Sequence, residues 1–270
     1  MDDEVALAST AGSTVETLGR IHDAALREAH ASLSVTCSHE RMFCAAQELG
    51  DRDREKDAKT VQSERSAVVL AGGRSSRFGS NKALQPLTGE PLIQRVIQRI
   101  SRVVGETIVV IGRSESACEY RGFVGRGVRV VNDHREGKNP LIGIVSGLAA
   151  ARFDYVAIVA CDVPFVKGEV IELLFKRALN ADAAIPRWNR QRIEPLQSVY
   201  RKSTTLDAAL KTLVPSNLSI EHMIRKLRHV NYVSVEDEIA NIDHDLNTFF
   251  NINTKEDFAA AERMMGRGVN

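Results

Sequence analysis

From residue 67 onward the chain repeats one pattern: a short apolar run, a polar loop, then a stretch with apolar residues at helical spacing. The runs Ala67–Leu70, Thr107–Ile111, Val128–Val131 and Tyr155–Ala160 are rich in Val and Ile and nearly free of polar residues. Strands buried on both faces read this way, and they belong to parallel sheets whose crossovers are helices. Segments 91–104, 141–152 and 166–180 supply those helices, with Pro91 and Pro140 suited to helix starts. The expectation is an α/β fold with a doubly wound, mostly parallel sheet. Ligands in such sheets sit beyond the carboxyl ends of the strands, so the loops after each strand are where function is sought.

The loop after the first strand lies within Val68 to Lys82, which reads VVLAGGRSSRFGSNK. Gly72 and Gly73 let backbone N–H groups approach a ligand closely, and Arg74, Arg77 and Lys82 add positive charge. This combination predicts a phosphate cradle. It is neither of two common phosphate loops. Ser80 and Asn81 separate Gly79 from Lys82, which breaks a P-loop, and Gly72-Gly73-Arg74 breaks a dinucleotide fingerprint. The alternative is a glycine-rich turn with surface charges nearby.

Two further strands end in aspartates. Asp133 follows the third and Asp162 the fourth, the latter within Cys161-Asp162-Val163-Pro164. For Asp162, at the end of a buried strand, burial calls for a cation, and magnesium takes one or two carboxylates together with substrate phosphates. Against this, Asp133 is also a good turn residue and Asp162 a good N-cap for the next helix. Asp243 and Asp245 are candidates for a second metal carboxylate, with surface turn residues the plainer reading. Arg187, Arg190 and Arg192 surround a polar turn and suit either a phosphate or solubility. Trp188 reads as a packing residue. Near the end, Thr254 and Asp257 form a helix-capping pair, which leaves Asn251 and Asn253 unexplained.

Charge is balanced, with 36 basic and 35 acidic residues, so nothing argues for nucleic-acid or membrane affinity. The start, Met1-Asp2-Asp3-Glu4, is acidic with no apolar core of a signal peptide, and no stretch approaches the roughly 20 apolar residues of a membrane span. A cytoplasmic protein is expected. Cysteines at 37, 44, 118 and 161 show no zinc spacing and read as free thiols. Residues 1–50 predict a helical extension of unassigned role, and 51–66 are dense in both charges, as a linker is. The catalytic domain is expected over 67–270.

Taken in order, LAGGRSSRFGSNK, Asp133 with Pro140-Leu141 and Gly143, the Asp162-x-Pro164 motif, Glu194-Pro195-Leu196 and Asn251 to Asp257 resemble the motifs of molybdenum cofactor guanylyltransferases. The resemblance runs from Val68 to Asp257 and does not touch residues 1–66. It implies a Rossmann-like nucleotidyltransferase fold and transfer of GMP from GTP to the phosphate of molybdenum-bound molybdopterin, releasing pyrophosphate. It further implies Leu70, Ala71, Gly72 and Gly73 as the nucleotide cradle, with Asp133 also on the nucleotide. Lys82 and Arg77 would meet phosphates, and Asp162 would carry Mg²⁺. Gly143, Asn251 and Asn253 would place the acceptor. Two positions depart from the family: Asn139 replaces a glycine, and Asn81 replaces a frequent aspartate. The related CTP-using branch more often reads LAAG, so the Gly72-Gly73 pair favours guanine, a missing methyl leaving room beside the larger base. Alternatives are CTP-dependent transfer, another small acceptor, or a non-catalytic cofactor-binding chaperone whose N-terminal helices meet a molybdoenzyme or insertion partner.

Overall fold

The computed structural model describes residues 64–72, 81–137, 139–189, 192–213 and 219–266. The extension expected over 1–50 lies outside them, as do Gly73, Arg77, Arg190 and nearly all of the expected linker.

The first strand, β1, spans Arg65–Leu70. A small hairpin of β2 (Pro86–Leu87) and β3 (Glu90–Pro91) follows, turning through Thr88 and Gly89, both at positive φ. Helix α1 (Leu92–Ile100) buries Leu92, Ile93, Val96, Ile97 and Ile100, the single stripe an amphipathic helix offers a sheet. Then come β4 (Glu106–Ile111), α2 (Ala117–Val124), β5 (Arg129–Asn132), α3 (Pro140–Ala150), β6 (Tyr155–Ala160) and α4 (Gly168–Ala178). The chain continues through β7 (Ala183–Trp188), β8 (Arg192–Ile193), β9 (Gln197–Arg201), α5 (Lys202–Leu210), α6 (Ile220–Ile224), β10 (Val230–Ser234) and α7 (Lys255–Gly266).

The sheet order is β10-β7-β9-β6-β1-β4-β5, with β8 paired to β7. Strand β9 runs antiparallel to β6 and β7, and every other pair along that path is parallel. Alternate residues of β1 point to opposite faces. Ala67 and Val69 enter one core with α1, α2 and α4, while Val68 enters the other with α3, α5 and α6. The doubly wound, mostly parallel expectation therefore holds. Helix α2 was not anticipated: it buries only Tyr120 and Val124, too sparse a pattern to read.

The winding places the site. From β1 the chain steps to β4 and β5 on one side, then crosses back so that β6 pairs with the other edge of β1. That reversal opens a crevice beyond the carboxyl ends of β1 and β6. Among the described residues no helix is long and apolar enough to cross a membrane.

Candidate active site at the strand reversal

Asp162 and Lys82 meet at this crevice. Asp162 stands two residues beyond β6, and its neighbour Cys161 donates its N–H to the Leu70 carbonyl at the end of β1 (3.1 Å). Lys82 opens a short 3₁₀ turn, Lys82–Leu84, capped by the Asn81 side chain, which accepts from the Ala83 N–H at 3.2 Å. The Lys82 ammonium lies 2.8 Å from Asp162 Oδ2, with side chains 12% and 21% exposed. Among the described residues, the buried Asp162 Oδ1 has no hydrogen-bond partner. A buried carboxylate oxygen left open in this way suits a cation or a donor brought by a ligand. The N-cap alternative for Asp162 falls away, because Lys167 occupies the N-cap of α4. Cys161 beside it is buried, and burial followed by the Asp162 charge pushes its thiol up to about 12. It stays neutral and packs.

The segment before α7 closes the other side. Ile252 is buried and donates its N–H to the Asp162 carbonyl at 3.0 Å, so Asn251 and Asn253 flank an anchored residue. Asn253 Oδ1 lies 3.4 Å from the Lys82 ammonium. Asn251 Nδ2 donates to the Phe249 carbonyl, which shapes the turn. The expected cap forms in both directions: Asp257 Oδ2 accepts from the Asn253 and Thr254 N–H groups, each at 2.8 Å, and the Asp257 N–H donates to Thr254 Oγ1. Asn253 therefore reaches Lys82 from a rigid mount.

Asp133 lies beyond β5, where its N–H extends the ladder to the Ile111 carbonyl (2.9 Å). Its Oδ1 is buried without a hydrogen-bond partner. Burial raises its carboxyl to about 6, assisted by the charges of Glu115 and Glu136 and opposed by the Ser146 hydroxyl. Gly143, expected on the acceptor side, stands beside Asp133 and Leu70. A Cβ at Gly143 would stand 3.1 Å from Leu70 Cδ2 and 3.7 Å from Asp133 Oδ1. Asn139 does not use the left-handed backbone that its replacement of glycine suggests. It is extended, with φ −94°, and caps α3 by accepting from the Leu141 N–H at 2.8 Å.

Leu70, Ala71 and Gly72 lead from β1 into the crevice, with the Ala71 and Gly72 N–H groups both directed at the Val110 carbonyl (2.8 and 3.1 Å). Gly72 is explained by the protein itself. A Cβ there would stand 2.8 Å from the backbone nitrogen of Gly112 and 3.1 Å from the carbonyl carbon of Ile111. Room for a larger base is not what excludes the methyl group.

Several expected groups serve the fold. Asp243 is fully buried, not a surface residue: its Oδ2 accepts from the Thr248 N–H (2.7 Å) and its Oδ1 lies 3.1 Å from the Lys167 ammonium. Burial alone would raise this carboxyl, but the Thr248 backbone and hydroxyl, with Lys167, hold it below the usual range. Arg192 pairs with Glu194 at 2.8 Å, and Arg187 lies over the Tyr232 ring. Trp188 packs edge-on against Phe249 and donates to Glu194 Oε1, as a packing residue does.

One cluster was not legible beforehand. Asn81 Nδ2 donates to the Tyr120 hydroxyl, which donates to Glu115 Oε2, each at 2.5 Å. Nothing in the spacing of Asn81, Glu115 and Tyr120 announces it, because β4 and α2 bring the last two to the first.

Known proteins share this architecture. The MobA-like NTP transferase domain family matches residues 67–232. A Methanosarcina acetivorans protein named "Probable molybdenum cofactor guanylyltransferase" is 38% identical over 211 residues, spanning 76% of this chain and 92% of that protein. A protein of the same name from Natronomonas pharaonis is 31% identical, over 75% of this chain and 98% of its own length. The crystal structure of molybdopterin-guanine dinucleotide biosynthesis protein A from Archaeoglobus fulgidus superposes with a TM-score of 0.65 at 30% identity, covering 75% of this chain and 99% of that one. The chain belongs to the MobA-like NTP transferase family, and within it groups with the molybdenum cofactor guanylyltransferases.

Proposed function

We propose that this nucleotidyltransferase joins GMP from GTP to the phosphate of molybdenum-bound molybdopterin, giving the guanine dinucleotide cofactor and pyrophosphate. The observation that carries the reading is the Lys82–Asp162 pair at the strand reversal, with Asp162 Oδ1 left open and Asn253 at 3.4 Å from the same ammonium. The names of the relatives supply the substrate class.

In this mechanism an oxygen of the acceptor phosphate attacks the α-phosphorus of GTP. The bond from that phosphorus to the β-bridging oxygen breaks, and pyrophosphate leaves with the electron pair. The attacking oxygen is already ionised near neutral pH, so no side chain must remove a proton. Catalysis rests on positioning and on neutralising charge. Lys82 offsets charge on the transferring and leaving phosphates. Leu70 to Gly73, Arg77 and Asp133 hold the nucleotide, and Gly143, Asn251 and Asn253 place the acceptor.

The residues fit a magnesium ion, since Asp162 offers one buried oxygen without a partner among the described residues while its other oxygen pairs with Lys82. Bound there with the phosphates, Mg²⁺ supplies Lewis acidity and a template for the two substrates. Asp162 would hold it, and Lys82 keeps the carboxylate oriented.

The test is pyrophosphate release from purified protein with Mg²⁺, molybdenum-loaded molybdopterin and GTP, CTP or ATP in separate reactions. Release with GTP alone is expected. Release with CTP alone would overturn the base, and no release with any nucleotide would overturn the reaction.

A further inference from the structure

The proposed reaction needs a choice of base, and Gly72 does not make it, because the space of its missing methyl group is filled by Gly112. A candidate stands on the next loop. Glu115 lies between β4 and α2, partly exposed, its N–H bonded to the Gly112 carbonyl at 3.0 Å. Asn132 Nδ2 lies 3.0, 3.3 and 2.8 Å from the carbonyls of Gly112, Arg113 and Glu115, which fixes the loop against β5. The carboxylate is held as well. Its Oε2 accepts a hydrogen bond from the hydroxyl of the fully buried Tyr120, and its Oε1 is 3.1 Å from where a Cβ of Gly112 would stand. A Cβ at 112 would press on it by a few tenths of an ångström.

This carboxylate stands beside the crevice: Gly112 packs against Gly72, and the Tyr120 hydroxyl that donates to Glu115 also accepts from Asn81, next to Lys82. An anion repels a triphosphate, so Glu115 is a poor phosphate ligand and costs the site affinity unless donors meet it. Guanine is the base whose Watson–Crick edge carries two adjacent donors, N1–H and the 2-amino group. A carboxylate accepts such a pair in a bidentate fork. Adenine and cytosine set a ring acceptor beside their amino group, so the same carboxylate would face a lone pair.

We propose that Glu115 is a specificity-determining residue that accepts hydrogen bonds from N1–H and the 2-amino group of the bound guanine, held in place by Tyr120. The proposal rests on the GTP reading above and names what selects the base within it.

Inosine triphosphate, which keeps N1–H and lacks the 2-amino group, isolates the contact. The experiment measures kcat/KM for pyrophosphate release with GTP and with inosine triphosphate, in the wild type and in Glu115→Gln and Tyr120→Phe, with thermal unfolding to confirm folding. The wild type is expected to favour GTP by about tenfold or more, as one hydrogen bond to a charged group provides. Glu115→Gln should bring the ratio close to one, mainly by loss with GTP, while Tyr120→Phe keeps a preference for GTP. A wild type that does not distinguish the two nucleotides overturns the proposal even if no variant folds. Equal losses with both nucleotides in Glu115→Gln also overturn it, and make Glu115 a support for Tyr120 and Asn81 alone. Those failures leave GTP turnover intact. A wild type that uses only CTP overturns the GTP reading and this proposal with it.

Discussion

Two of the lysine–aspartate pairs among the described residues have similar length and opposite character. Lys167 and Asp243 lie 3.1 Å apart, with the aspartate side chain 1% exposed and its other oxygen occupied by the Thr248 backbone. Lys82 and Asp162 lie 2.8 Å apart, yet one Asp162 oxygen is buried with nothing to bond. Both oxygens of Asp243 meet a partner, Oδ2 by a hydrogen bond and Oδ1 by the ion-pair contact alone, whereas Asp162 Oδ1 meets none among the described residues. The first pair ties the loop before residue 250 to the start of α4. The second is the pair we assign to substrates. A satisfied ion pair is architecture, whereas a buried polar atom without a partner marks a place where something else belongs.

Exchanging the consequences of the two pairs is the way to break this contrast. Asp162→Ala is expected to reduce pyrophosphate release by on the order of 100-fold or more, from loss of several kcal/mol of charge stabilisation, while the melting temperature barely moves. Turnover near wild type would end the assignment. Asp243→Ala should do the reverse. It leaves the Thr248 N–H without its acceptor and removes one contact of the partly exposed Lys167 ammonium, a loss of about 1–3 kcal/mol that lowers the melting temperature by roughly 5 °C. Assayed where it remains folded, its turnover should stay close to normal. A large fall in kcat with unchanged melting would erase the distinction between the pairs.

Lys82→Ala refines it further. A lysine acting on the transition state lowers kcat by about 10²-fold with a smaller change in nucleotide affinity. A pure rise in KM would make Lys82 a ground-state anchor. The smallest effect concerns pH. Asp133 is raised from 3.8 to about 6, so its protonated form is favoured by the fold. Its contribution to stability is full below the unfolded value and is lost as pH rises through about 6. Nucleotide binding through the ionised carboxylate should run the other way and weaken as pH falls through about 6. Asp133→Asn should therefore melt slightly higher at pH 8 while losing the acid limb of the kcat/KM profile. An unchanged limb would assign it to another group.

Much of this was legible in the chain because burial writes itself into composition. Strand β6 has the bounds its apolar run predicts, and β1 and β4 differ from theirs only at their amino ends. Asp162 stood out because a carboxylate after such a run has few other uses, and the Thr254–Asp257 cap was visible as a local spacing. What escaped notice depends on chain segments far apart in sequence. Strand β9 slots antiparallel between β6 and β7, and its run looks like any other strand. Asp243 looked like a loop aspartate, since its partner lies on the loop before α4. The Asn81–Tyr120–Glu115 chain joins residues whose meeting only the packing of α2 determines.

The bond from Ile252 to the Asp162 carbonyl has a temporal side. Lys82 and Asn253, which meet across the crevice, are 171 residues apart in the chain. During synthesis the nucleotide half of the proposed site emerges first, and the half assigned to the acceptor arrives only with the last helix. An incomplete chain ending before residue 251 would hold the proposed nucleotide cradle without the residues we assign to the second substrate. The order of translation thus keeps the transfer step silent until the rest of the domain exists to receive it.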